Sequence, residues 1–337
     1  MRIFGFTAYG GPEATSVMEV PDPTPGPGQL LVRTAAAGVN PADIKVRNGD
    51  RIGAVPVTFP MAMGREAAGT VVAAGDGTEA FEGLGAELVG AQVFGAAAAG
   101  TGAIGEFALL EAAGTALVPE SVSVSAATCI PVSIGTAYDA LDQLDLPPGA
   151  ALLVIGAGGG VGSAACALAA GRGVRVVGVA SAAKRDVVTG QGAEHVVSGP
   201  GWADRAAAAA GARGSSGSAG SAGSARSAER AESSAGAYDA VLDLVGAEVL
   251  REAVSLLRPG GRVVSPASPG LAGELLGDRG GGVTRRRTSE VFARIAGLIA
   301  SGELTPLVSA QVPFADAARA VALVEEGHVA GNVVVTF

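Results

Sequence analysis

Apolar positions follow two different rhythms along this chain. Up to about residue 120 they come in short runs, among them Gln29-Leu30-Leu31-Val32-Arg33-Thr34 and Thr70-Val71-Val72-Ala73-Ala74-Gly75, each bounded by proline and glycine clusters. Such runs predict β-strands. The connector Pro21-Asp22-Pro23-Thr24-Pro25-Gly26-Pro27-Gly28 is neither helix nor central strand, because proline has no N–H to donate. From residue 121 onward the rhythm becomes an alternation. A helix is predicted over 125–144. Strands follow at 151–155, 174–180, 195–198, 240–244 and 261–265, with helices at 161–170, 182–191 and 248–257. Strands separated by helices imply a parallel sheet with right-handed crossovers, a doubly wound nucleotide-binding domain.

Near the end, 287–300 and 316–326 have amphipathic helical spacing. The run Gly331-Asn332-Val333-Val334-Val335-Thr336-Phe337 reads as a strand, expected to complete the sheet of the first domain. The expected fold class is α/β. A β-rich domain covers 1–120 and 270–337, and a doubly wound domain covers 121–269. Segment 206–235 is nearly all Ala, Gly and Ser with a few charges. It lacks the apolar periodicity needed to offset its ordering entropy, so it is expected to be a flexible surface insertion, with a helix over 203–210 running into it.

Composition narrows the function. A length of 337 residues suits two domains. The formal net charge of -9 argues against nucleic acid and anionic membrane surfaces as partners, leaving a small-molecule substrate. The uncharged stretch 149–171 has the length of a membrane span, but glycines crowd its centre and favour a turn. The opening residues Met1–Tyr9 read as too short and too interrupted for a signal peptide, so none is expected. Cys129 and Cys166, set among small apolar residues, are too few for a disulfide framework, and a reducing cytoplasmic setting is expected.

The candidate chemistry centres on Ala151-Leu152-Leu153-Val154-Ile155-Gly156-Ala157-Gly158-Gly159-Gly160-Val161-Gly162. An apolar strand enters a glycine-rich turn, and an alanine-rich helix leaves it. This is the local architecture that holds a dinucleotide pyrophosphate, with Gly158, Gly159, Gly160, Val161 and Gly162 at the helix N-terminus. About twenty residues on, NAD-selective sites place a carboxylate. This chain has Ser181, Lys184 and Arg185 there. A hydroxyl and two cations suit a 2′-phosphate, so the expected cofactor is NADPH. The plainer reading of Lys184 and Arg185 is a solvated helix face.

The chain resembles the medium-chain dehydrogenase/reductase superfamily, in its zinc-independent quinone oxidoreductase branch. The resemblance rests on Ala37-Gly38-Val39-Asn40-Pro41-Ala42-Asp43, Met63-Gly64-Arg65-Glu66-Ala67-Ala68-Gly69, the glycine turn, Leu257-Arg258-Pro259-Gly260-Gly261 and Glu326-Gly327-His328-Val329-Ala330-Gly331. It implies a GroES-like catalytic domain, a Rossmann domain, a cofactor between them and a homodimer. It also implies that Asn40 orients or polarises the acceptor and that Asp43 braces its loop. By the same resemblance Thr136 lies near the nicotinamide, and the backbone of Ser265 and Pro266 touches its amide.

Zinc-dependent members carry a cysteine where this chain has Asn40 and Gly-His-Glu where it has Gly64-Arg65-Glu66. His195 and His328 have no partner at ligand spacing, so no metal is expected. Without a Lewis acid the fitting acceptor is already electrophilic, a quinone or activated alkene. An enoyl thioester reductase and a non-catalytic NADPH-binding protein are the alternatives. Lys45 and Arg51 stand where quinone reductases of the family often carry tyrosines, and Asn332 stands where the family usually has lysine.

Overall fold

A computed structural model describes residues 1–78, 88–211, 236–327 and 329–337. They form two compact units, Met1–Thr136 with Arg286–Phe337, and Ala137–Arg285. Both divisions fall about sixteen residues later than the pattern of elements suggests. The helix Val124–Thr128 packs on strands of the first unit, which draws 121–136 into it. The strand Gly280–Gly281 extends the parallel sheet of the second, which draws in 270–285.

The first unit begins with β1 (Arg2–Phe6), β2 (Thr15–Glu19), β3 (Gln29–Val39), β4 (Met61–Ala62), β5 (Glu66–Ala74), β6 (Gln92–Ala97) and β7 (Phe107–Leu117). β1 pairs antiparallel with β2 and β4. β3 runs five residues beyond the apolar run that predicts it, because its last residues stay buried and keep alternate partners. It pairs with β5 and also with β7, so β3, β5, β6 and β7 close on themselves. Phe4, Phe6, Val32, Met63, Val71, Ile104 and Leu110 lie in the enclosed core.

The second unit holds β8 (Ala151–Ile155), β9 (Arg175–Ala180), β10 (Glu194–Val197), β11 (Tyr238–Asp243), β12 (Leu257–Val264) and β13 (Gly280–Gly281). All pairings are parallel, in the order β10-β9-β8-β11-β12-β13. The order reverses between β8 and β11. In open parallel sheets, ligands bind beyond the carboxyl ends of the strands at such a reversal.

The helix Trp202–Gly211 continues into the Ala-rich segment through 206–211. Trp202, Ala206 and Ala209 bury against the sheet, Tyr238 donates its hydroxyl to Ala206 O at 2.7 Å, and Arg175 donates to Ala210 O at 2.9 Å. The rest of the expected flexible insertion lies outside the described residues.

The chain then returns to the first unit with β14 (Val308–Pro313) and β15 (Asn332–Thr336). β15 inserts between β14 and the second half of β3, with Val333 opposite Val39 and Thr336 opposite Ala36. The first unit is therefore discontinuous in sequence. An ion pair reinforces the return: Arg47, fully buried, donates to both carboxylate oxygens of the exposed Glu325 at 3.2 and 2.7 Å. Bidentate pairing of this kind is the strong form of the interaction.

Candidate active site

In the first unit the site is built on Asn40. The residue leaves β3 in an extended conformation and caps the helix Pro41–Arg47, whose first residue is a proline that has no N–H to satisfy. Asp43 Oδ2 accepts the Asn40 backbone N–H at 2.8 Å, and the Asn40 side chain faces the Asp43 N–H, a capping-box arrangement. Asp43 is buried, and its Oδ1 has no hydrogen-bond partner among the described residues. Burial pushes this carboxyl up to about 7, against the lowering effects of the Asn40 N–H and the Arg65 charge.

That shift has a pH signature. Between an ordinary aspartate's 3.8 and about 7, the unfolded chain has lost the Asp43 proton while the folded protein keeps it. Its contribution to stability therefore falls as pH rises through this window and is flat above it. Asp43→Asn keeps an acceptor for the Asn40 N–H and removes the titration. The stability difference between variant and wild type is expected to move in the variant's favour from about pH 5 to about pH 8. Urea denaturation at the two pH values checks it, and an unchanged difference contradicts the burial of a titrating carboxyl.

Asn40 Nδ2 donates to Glu66 Oε1 at 2.6 Å, and Glu66 Oε2 accepts the Val132 N–H at 2.8 Å. Glu66 is the first residue of β5 and is 2% exposed. The Val132 N–H is available because of a proline. A continuous helix over 125–144 does not form. Val124–Thr128 gives way to a π-helical turn, Ile130–Ile134, before Gly135–Leu144. Pro131 cannot donate, and the ladder skips, with Ile134 N–H reaching Cys129 O at 3.0 Å. Thr136 donates its hydroxyl to Val132 O, and Ser133 donates to Asn332 Oδ1. Asn332 itself donates from Nδ2 to Leu307 O at 3.1 Å. Asn40, Asp43, Glu66, Thr136 and Asn332 thus belong to neighbouring hydrogen-bonded groups in one unit. Lys45 lies half-buried on the helix after Asn40, and Arg51 is exposed.

In the second unit, β8 ends at Ile155 and the chain turns at Gly156, with φ of +84°. Gly159 caps the helix Gly160–Gly171. The first N–H groups of a helix have no acceptor within it and carry partial positive charge, so those of Gly160, Val161 and Gly162 form an anion-binding end. A Cβ on Gly162 would sit 2.7 Å from Ala157 Cα and in clash with Gly156 O. A Cβ on Gly158 would sit 2.9 Å from Lys184 Cβ. The stem of Lys184 therefore lies over the turn itself. Burial lowers its amine below the usual lysine range.

Helix 182–191 divides into a 3₁₀ turn, Ala182–Lys184, and an α-helix, Arg185–Gly190. The split follows from the tight turn in which Lys184 N–H returns to Ser181 O at 3.0 Å. Ser181 and Arg185 are exposed beside it. His195 Nε2 lies 3.2 Å from Ala180 O and 3.3 Å from Ser181 O, holding the end of β9. His328 lies outside the described residues.

At the end of β11, Asp243 is fully buried. Its Oδ1 accepts the N–H groups of Val245 and Gly246 at 3.0 and 2.9 Å, and its Oδ2 accepts the Ser265 hydroxyl at 2.6 Å. Ser265 Oγ in turn accepts the Ser268 N–H at 2.9 Å. The Ser265 side chain is thus committed inside the protein, and half-buried Pro266 follows it. Asp243 escapes a reading of the sequence, as does the role of Glu66. The local signals were an Asp at a strand end three residues before a glycine, and a Glu among small apolar residues.

Comparison with known proteins places this architecture. A model of the alcohol dehydrogenase GroES-like domain matches residues 26–133, and two models of zinc-binding dehydrogenases match 160–276 and 221–335. The chain belongs to the medium-chain dehydrogenase/reductase superfamily. A mycobacterial quinone oxidoreductase structure is 30% identical, with a TM-score of 0.76 and 100% coverage of both chains. The chloroplastic NADPH-dependent alkenal/one oxidoreductase of Arabidopsis thaliana is 26% identical over 99% of this chain and 79% of its own length. The synaptic vesicle membrane protein VAT-1 homolog of Mus musculus is 35% identical over 58% of this chain. That match spans 47% of the relative, about half its length. Among the described residues no helix is long and apolar enough to cross a membrane.

Proposed function

We propose that this protein is an NADPH-dependent reductase that delivers hydride to a quinone or to an alkene conjugated with a carbonyl, without a catalytic metal. The observation that carries the reading is the Asn40–Glu66 pair, a neutral amide held by a carboxylate, with Asn40 where zinc-dependent relatives keep a cysteine and Arg65 where they keep a histidine. The residues present do not fit a zinc ion. Glu66 is engaged by two N–H groups, its neighbour Arg65 is a cation, and no three His, Cys, Asp or Glu side chains cluster at ligand spacing among the described residues.

The second unit does fit a dinucleotide phosphate. The helix N-terminus at Gly160 offers N–H groups, and the glycines leave room for close approach. Lys184 and exposed Arg185 supply cations for a 2′-phosphate, and no carboxylate stands there to prefer a free ribose hydroxyl. The relatives named for quinone and for alkenal/one reduction support the acceptor class. Bound NADPH supplies the hydride. Asn40 polarises the acceptor oxygen through a hydrogen bond that strengthens as negative charge develops there. The proton comes from water.

Steady-state oxidation of NADPH by 1,4-quinones, enones and enoyl thioesters tests this reading. Quinone or enone turnover is expected to exceed thioester turnover, and the reverse order overturns the acceptor assignment. Lys184→Ala with Arg185→Ala is expected to weaken NADPH binding by roughly tenfold to a hundredfold and NADH binding by about twofold at most. Equal losses for the two cofactors overturn the cofactor assignment.

A further inference from the structure

Glu66 is a carboxylate where an apolar side chain would avoid the desolvation of a charge. It lies 2% exposed at the start of β5, preceded by Arg65 and followed by Ala67 and Ala68. The fold makes room for it: a Cβ on Gly38, the β3 residue beside it, would clash with the Glu66 carboxylate. Buried carboxylates persist when they are hydrogen-bonded, and this one accepts from Asn40 Nδ2 on one oxygen and from Val132 N–H on the other.

The pairing decides the orientation of Asn40. The two orientations of an asparagine amide have nearly the same shape and opposite chemistry. A carboxylate only accepts, so the atom facing Glu66 is Nδ2. On its other side, the Asn40 side chain faces the Asp43 N–H in the first turn of the helix, an N–H that also donates to the Asn40 backbone oxygen at 2.9 Å. The Glu66 contact selects the orientation, and the helix start is compatible with it. Only the second Nδ2 hydrogen is left for a ligand.

We infer that Glu66 is a positioning residue, which locks the Asn40 amide so that it presents an N–H donor, and not its carbonyl oxygen, to the bound acceptor. The identity of that acceptor rests on the proposed function; the orientation does not. The group meeting Asn40 is then a carbonyl or quinone oxygen. Through Val132, whose carbonyl accepts the Thr136 hydroxyl, the same carboxylate also ties Asn40 to the turn that carries Thr136.

Exchanging donor and acceptor across the contact tests the inference. Asn40→Asp alone sets two carboxylates against each other and is expected to lower Tm. Adding Glu66→Gln lets the new glutamine donate to the aspartate while still accepting from Val132. The aspartate still caps the helix, and the charge of the pair is unchanged. Only the ligand-facing N–H is gone. The double variant is expected to recover Tm to within about 2 °C of wild type. In the unliganded protein, one asparagine side-chain amide proton is expected far downfield and absent from both variants. With a quinone or enone, kcat of the double variant is expected to fall roughly a hundredfold while NADPH Kd stays within about twofold.

Failure of the second change to restore Tm, or no downfield amide proton in wild type, overturns the pairing. A double variant with wild-type kcat overturns the donor role. If wild type reduces no quinone or enone, the proposed function fails, while Tm recovery and the amide resonance still decide the orientation.

Discussion

Gly162→Val is expected to weaken NADPH binding by about tenfold to a hundredfold, because the helix that would hold the pyrophosphate cannot stay where it is. Gly162 lies in the first turn of the helix Gly160–Gly171, against the backbone of the preceding turn. A Cβ there meets Gly156 O and Ala157 Cα, and neither is the movable end of a side chain. Valine adds two methyl groups beyond that Cβ. Overpacking of this sort typically costs about 1–3 kcal/mol, and relief by shifting the helix moves the N–H groups of Gly160 and Val161 off the phosphate. About 3 kcal/mol corresponds to roughly a hundredfold in Kd. Calorimetric titration with NADPH measures it, with far-UV circular dichroism as the control for folding. A Kd within about threefold of wild type would show that the turn does not hold the cofactor.

Asp243→Ala is expected to destabilise the protein by about 3 kcal/mol or more. The change strands the Ser265 hydroxyl and the Gly246 N–H without their acceptor inside the protein, and removes one from Val245 N–H. Each buried group left unsatisfied costs about 1–3 kcal/mol. For a unit of this size that lowers Tm by roughly 6–12 °C. Asp243→Asn keeps an oxygen for part of the network and should lose less. Differential scanning calorimetry distinguishes the two variants. If Asp243→Ala melts with wild type, the carboxylate does not organise the strand ends.

The two variants differ in how readable their residues are. The turn around Gly162 announces itself locally. Strand, glycines and helix follow one another within a dozen residues, and backbone geometry demands glycine there. β15 was legible for a similar reason, as an unbroken β-branched run after a glycine. Asp243 was not, because its importance depends on β11 and β12 lying side by side. Ser265 is 22 positions away in sequence and 2.6 Å away in space. Glu66 was hidden in the same way, since its partners lie at 40 and 132. Pro131 did carry a local signal. A proline inside a helical pattern removes one donor, and the π-helical turn that supplies the Val132 N–H is the result. Alternation of apolar residues thus reveals which elements exist, while buried polar contacts depend on which elements become neighbours.

The late return of the chain to its first unit has a consequence for synthesis on the ribosome. β3 spans Gln29–Val39, but the strand that covers its second half is Asn332–Thr336. Every residue of the second unit emerges from the exit tunnel before that partner does. The second unit can therefore fold to completion while the first still carries an open strand edge at Ala36–Val39. An uncovered edge recruits other strands, including those of neighbouring nascent chains. The small side chains of Ala36, Ala37 and Gly38 offer such strands little apolar surface to grip during that interval.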